Sequence, residues 1–204
     1  LVDTFFIDPN GVVMANSMMQ KLNLDFLKEG DKSTHGFFLL MEEVSLSSVK
    51  PLVEWILESN FSPETPELLN LIICSPGGDL NAAFAVIDTM RGSSIPIRTI
   101  GLGQVSSAGL LIFASGTKGQ RILTPNTSIL SHQYSWGAFG KEHELFATVK
   151  EFDLTTKRMI AHYKKVTGLT EVTIRETLLP PQDIWLSAQE AQKLGLCDLV
   201  KDLK

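Results

Sequence analysis

Gly101-Leu102-Gly103-Gln104-Val105-Ser106-Ser107-Ala108-Gly109-Leu110-Leu111-Ile112-Phe113-Ala114-Ser115-Gly116 changes character halfway along its length. A strand ends in glycine, two serines make a tight turn, and a helix that is apolar all round starts at once. A helix apolar on every face is buried. A serine at such a junction sits at a helix N-terminus, where neighbouring backbone N–H groups lack helical partners and can hold an anion. A sharp strand-to-helix turn is also the mechanical idea of the nucleophile elbow, although the G-x-S-x-G spacing is absent. The competing reading is that Ser106 merely caps the helix.

Outward from this stretch, strands and helices alternate. Upstream, residues 95–101 read as a buried strand, preceded by a helix ending near Arg91 that Asp79 or Asn81 can cap. Residues 68–74 and 36–41 are two further apolar strands. Between them a helix over residues 45–59 places Val49, Leu52, Val53, Ile56 and Leu57 on one face, and Pro63 and Pro66 mark a loop. Downstream, residues 120–123 and 128–132 read as a strand pair joined through Pro125-Asn126. A long helix is expected over about 141–166 and a shorter one over 170–178. Residues 183–186 read as a short strand, Ser187 as the cap of a last helix, and 197–200 as a closing strand. An amphipathic helix is expected over 16–28, with a polar loop over 30–35. This alternation indicates βαβ units, right-handed crossovers and an α/β core with a helical spiral, in one domain over residues 1–204.

Other residues bear on chemistry. Ser75-Pro76-Gly77-Gly78-Asp79 joins a buried strand to a helix, and paired glycines let backbone approach a ligand closely. Read blandly, it is a turn with a helix cap. His132 ends the run 128–131 and reads either as a general base or as a satisfied structural residue. Asp183 opens the apolar Ile184-Trp185-Leu186, where an acid needs a partner or exposure; read blandly, it is an exposed capping acid. His35, His143 and His162 read as surface or packing residues. Neither phosphate-loop glycine pattern nor any metal-ligand spacing such as His-Glu-x-x-His or Cys-x-x-Cys is present, so no metal or cofactor is expected.

Bulk composition narrows the class. The chain has 204 residues, 44% hydrophobic and 20% charged, with net charge −5. Such a chain needs no disulfide or metal staple, and it carries no basic stripe for nucleic acid. Cys74 and Cys197 read as small buried thiols, with a catalytic thiol or an intersubunit disulfide as alternatives. No membrane span or signal peptide is expected, and a reducing, cytoplasmic-type interior is the default.

Together these pieces resemble the ClpP family, the proteolytic subunits of ATP-dependent Clp proteases, over roughly four-fifths of the chain. The resemblance rests on Ser75–Gly78, on Gly103 to Gly109, on Pro125-Asn126 followed by His132-Gln133, and on Asp183 with Trp185, Leu186-Ser187-Ala188-Gln189-Glu190-Ala191 and Gly195-Leu196-Cys197-Asp198. It implies the ClpP/crotonase-like spiral of ββα units with a protruding handle helix. It implies Ser107 as nucleophile, His132 as base and Asp183 as the third member. It implies oxyanion donors from the backbone of Gly77 or Gly78 and Ala108. Extended substrate would lie along 133–139, beside Gln133, Tyr134, Trp136 and Gly137.

The expected activity is a serine endopeptidase acting on peptides and unfolded proteins inside a chamber. Its partners would be copies of itself in heptameric rings, stacked or single, and an AAA+ unfoldase. The chain departs from the family pattern at Ala108 (usually methionine), at Ser106 (usually another small residue), at Tyr134–Gly137 (usually Pro and a Gly pair) and at Gln182 (usually arginine). Residues 1–35 do not resemble the family's gate segment. A silent ring subunit and a crotonase-type acyl-CoA enzyme are the alternatives.

Overall fold

Five short runs form a parallel sheet. In the computed structural model, which describes residues 36–63 and 65–202, β1 (Gly36–Leu40), β2 (Leu69–Ser75), β3 (Ile97–Ser106), β4 (Arg121–Leu123) and β7 (Leu199–Val200) lie side by side in that order. Every neighbouring pair among them is parallel. Parallel neighbours need crossovers, and α1 (Leu46–Phe61), α2 (Leu80–Gly92) and α3 (Ser107–Ala114) supply the first three. Strand alternation sends Phe38 and Leu40 into the main apolar cluster with Leu52, Ile87 and Leu111, while Phe37 joins a smaller one with Ile100 and Ile122. The helix and loop expected over 16–28 and 30–35 lie outside the described residues.

Two expectations change. The third strand does not stop at Gly101. It bends at Gly103 and continues to Ser106, because Val105 still pairs with Ser75 after a register shift in β2. Nor do residues 120–123 and 128–132 pair with each other. β4 and β5 (Ser128–Ser131) both run parallel to β3, one after the other along its length. The turn between them explains this. Thr124 N–H and Thr127 Oγ both donate to Gly101 O, at 3.2 and 2.9 Å, so the chain jogs along β3 instead of reversing.

β5 then takes β6 (Ile184–Ser187) as an antiparallel partner, with Ser131 opposite Ile184. The ladder ends there, and that register, carried one residue further, sets His132 across from Asp183.

α4 (Glu142–Thr167) has 26 residues, about 39 Å at 1.5 Å per residue. Its first half carries no buried side chain, and Phe146 and Val149 stand exposed. The second half packs through Thr155, Met159, Ile160, His162 and Tyr163, and Arg158 lies 4.8 Å over the Phe84 ring of α2. Gly168 ends the helix in the left-handed conformation. α5 (Glu171–Thr177) and α6 (Ala188–Lys193) complete the helices described.

One buried ion pair locks β4 to the last loop. Arg121, 1% exposed at its side chain, pairs with Asp198 at 2.6 Å. Cys74 is half-buried and Cys197 buried, both as free thiols; burial pushes the Cys197 thiol up to about 12. Among the described residues no helix is long and apolar enough to cross a membrane.

Candidate active site

The turn from β3 to α3 is made in a single residue. Ser107 has φ 52°, the one positive φ at a non-glycine residue among those described. Holding a serine there costs about 1–3 kcal/mol, which the buried strand and helix on either side must offset. Such strain is a recurrent mark of functional turns.

The turn aims Ser107 at His132. Ser107 Oγ lies 2.8 Å from His132 Nε2, and His132 Nδ1 lies 3.3 Å from Asp183 Oδ1. The histidine side chain is 25% exposed and the aspartate 61%, so the row runs from the buried turn out to solvent. With its proton on Nδ1, the imidazole donates to Asp183 and presents Nε2 as acceptor to the serine hydroxyl. Ser106 points elsewhere. It is fully buried, its Oγ accepts from Gln104 Nε2 at 3.0 Å, and it makes no side-chain cap on α3. The first amides of α3, Ala108 among them, therefore keep the unpaired character of a helix start.

Facing this turn is the loop that follows β2. A Cβ added to Gly77 would lie 2.6 Å from Ser107 Cβ and 3.1 Å from Ala108 N, so only glycine allows the loop this close. Gly77 N–H donates to Ser75 Oγ at 3.2 Å, and Gly77 O accepts from Val44 N at 2.7 Å. A trans peptide points its N–H opposite its carbonyl, so Gly78 N–H faces away from Val44. Asp79 caps α2 through Ala82 N at 2.6 Å.

The residues beside His132 hold its strand to the segment leading to Asp183. Ser131 Oγ donates to Leu178 O at 2.6 Å and lies 3.2 Å from Tyr163 OH. Burial pushes the Tyr163 phenol up to about 12, against the opposing Ser131 hydrogen bond. Gln133 Nε2 donates to Leu179 O at 2.9 Å. The two neighbours of His132 thus bind two successive carbonyls a few residues before Asp183. Sequence reading named Gln133 for a substrate contact and passed over Ser131 and Tyr163, since a lone serine or tyrosine carries no pattern.

Residues 132–140 form no strand. Instead Tyr134 and Trp136 stack on Phe152 of α4 with centroids 5.4 and 4.8 Å apart, and Tyr134 OH donates to Phe152 O at 3.0 Å. Gly137 is exposed. Among the described residues no cluster of His, Cys, Asp and Glu could hold a metal ion.

This arrangement has known relatives. Over 132 residues the chain is 36% identical to the ATP-dependent Clp protease proteolytic subunit 2 of Corynebacterium glutamicum, an alignment covering 65% of each chain. The chain thus spans just under two thirds of that relative's length. The family model described as Clp protease matches residues 39–204, from within β1 to the end of the chain. That span holds the parallel sheet, the strained serine turn and both of its partners, and so the chain belongs to the Clp protease family.

Proposed function

We propose that the chain is an active serine endopeptidase subunit, with Ser107 as nucleophile, His132 as general base and Asp183 as the group that orients it. The observation that carries this reading is the continuous row from Ser107 Oγ through both His132 nitrogens to Asp183. His132 Nε2 takes the Ser107 proton as Oγ attacks a peptide carbonyl. Asp183 keeps the imidazole in the required tautomer and stabilises the imidazolium. The same Nε2–H then protonates the departing amine, and water hydrolyses the acyl-enzyme by the reverse relay.

The oxyanion would be met by Ala108 N–H at the start of α3 and by Gly78 N–H. Gly77, the other glycine considered, has its N–H occupied by Ser75. Peptide substrate would run along 133–139, against the Tyr134–Trp136–Phe152 aromatic group.

Family membership supports heptameric rings and an AAA+ unfoldase as partners, within an interior compartment. The exposed Phe139, Phe146 and Val149 around the start of α4 suit stacking against a second ring.

A fluorophosphonate probe tests the chemistry. Labelling of the parent protein, located at Ser107 by mass spectrometry and lost in Ser107→Ala together with turnover of a fluorogenic peptide, is the expected result. A parent protein that takes up no probe would make the chain a silent subunit.

A further inference from the structure

We propose that Ser75 is a positioning residue for the oxyanion hole, its buried hydroxyl setting the direction of the Gly78 N–H. This deepens the peptidase reading above and rests on it.

Ser75 is 1% exposed, and its hydroxyl is used twice. It donates to Glu42 O at 2.6 Å and accepts from Gly77 N–H at 3.2 Å. Pro76 has no N–H, so the Gly77 amide is the first donor after Ser75 in the chain. The carbonyl side of Gly77 is held separately, by Val44 N at 2.7 Å, and Asp79 N returns to Val44 O at 2.8 Å. Gly77 (φ 99°) and Gly78 (φ 144°) have no backbone preference of their own for these angles. Their orientation must come from outside.

The short segment 42–44 after β1 supplies it from both sides. Val44 grips the loop directly, and Glu42 grips it through the Ser75 hydroxyl. Without that hydroxyl, only one of the two clamps on Gly77 remains. The Pro76–Gly77 peptide is then unanchored, and the Gly77–Gly78 peptide keeps only its carbonyl bond to Val44, about which it can pivot and carry Gly78 N–H out of line. A donor to a developing oxyanion acts through being already in place, so such a loss acts on the transition state and not on substrate binding. The ring of contacts also has a packing side, since Ser75 Cβ lies 3.0 Å from where a Cβ on Gly109 of α3 would be. The test must separate the two.

Two variants do so. Ser75→Ala removes the hydroxyl, and Ser75→Cys fills the same space with a weak hydrogen-bonding group. Each is assayed as the full chain with a fluorogenic peptide, with a peptide boronic acid that forms a tetrahedral adduct, and by thermal unfolding. Both variants are expected to lose about 10- to 100-fold in kcat with KM within about twofold of the parent. Boronate affinity should fall by a similar factor while the unfolding transition persists.

Parent-like kcat in Ser75→Cys overturns the proposal, because space-filling then suffices. Loss of the cooperative transition in both variants also overturns it, because the hydroxyl then holds the fold. A parent protein that labels at Ser107 while both variants match its kcat leaves the peptidase reading standing and removes only this one. A parent that never labels removes both.

Discussion

Replacing Asp198 by alanine should cost more stability than any surface change in this chain. The carboxylate is 10% exposed at its side chain and sits opposite a guanidinium that is 1% exposed. It accepts from Arg121 Nε at 2.9 Å, Arg121 Nη2 at 2.6 Å, Gly119 N at 2.8 Å and Arg121 N at 3.1 Å. Lys118 Nζ lies 3.3 Å from it. Without Asp198, the Arg121 guanidinium keeps, among the described residues, only the carbonyls of Val166 at 3.1 Å and Ala114 at 3.5 Å. A buried charge stripped of its counter-ion costs about 3–5 kcal/mol, a large share of the roughly 5–15 kcal/mol that holds a domain together. For a chain of this size that is a fall in Tm of roughly 6–20 °C.

The assay is urea and thermal unfolding of Asp198→Ala at pH 7, at one fixed protein concentration. The double variant Arg121→Met/Asp198→Leu, which removes both charges, should recover much of the loss. Acid gives a second reading. Burial alone would raise the Asp198 pKa, but the hydrogen bonds from Arg121 and Gly119 hold it well below the usual carboxylate range. Its contribution is therefore complete above the unfolded value of about 3.9 and fades as pH falls below that. Asp198→Ala within about 1 kcal/mol of the parent at pH 7 would refute the reasoning.

Two further outcomes concern other sites. His162 is buried, and burial first, then the Arg91 guanidinium beside it, lowers its pKa to about 4. The unfolded chain thus binds a proton that the folded chain refuses between pH 6.5 and about 4. Stability is expected to fall through that window by up to about 1.4 kcal/mol per pH unit, and His162→Gln should flatten the slope, as read by urea titrations at several pH values. Gly77→Ala should slow fluorophosphonate labelling by at least about 100-fold, because its Cβ would meet Ser107 Cβ at 2.6 Å and Ser106 O at 2.9 Å. Gly119→Ala, also at positive φ but with open space around it, is the control that should label normally.

The sequence reveals the scaffold where burial is uniform and hides it where pairing decides. β1 is an apolar run and β2 one interrupted only by Asn70, each between turn residues, and their limits are visible within a residue or two. The extension of β3 through Gly103, Gln104 and Ser106 is not, because those residues carry no strand preference and are held by neighbours distant in the chain. β4 and β5 look like a hairpin for the same reason: Pro125-Asn126 marks a turn, and only the bonds to Gly101 tell which way it goes. At the site, Ser107, His132 and Asp183 each had a bland alternative in isolation. Their order within the family pattern is what picked them out. The choice between Gly77 and Gly78, and the second use of Ser75, depend on which amide is already occupied, and that is invisible in letters.

The backbone at Ser107 also limits which alcohol this turn can present. Threonine carries the same hydroxyl, but a second substituent on Cβ makes φ near +52° a poor fit. The exchange of serine for threonine that an open surface tolerates is thus closed off here by a dihedral angle, independent of any difference in reactivity.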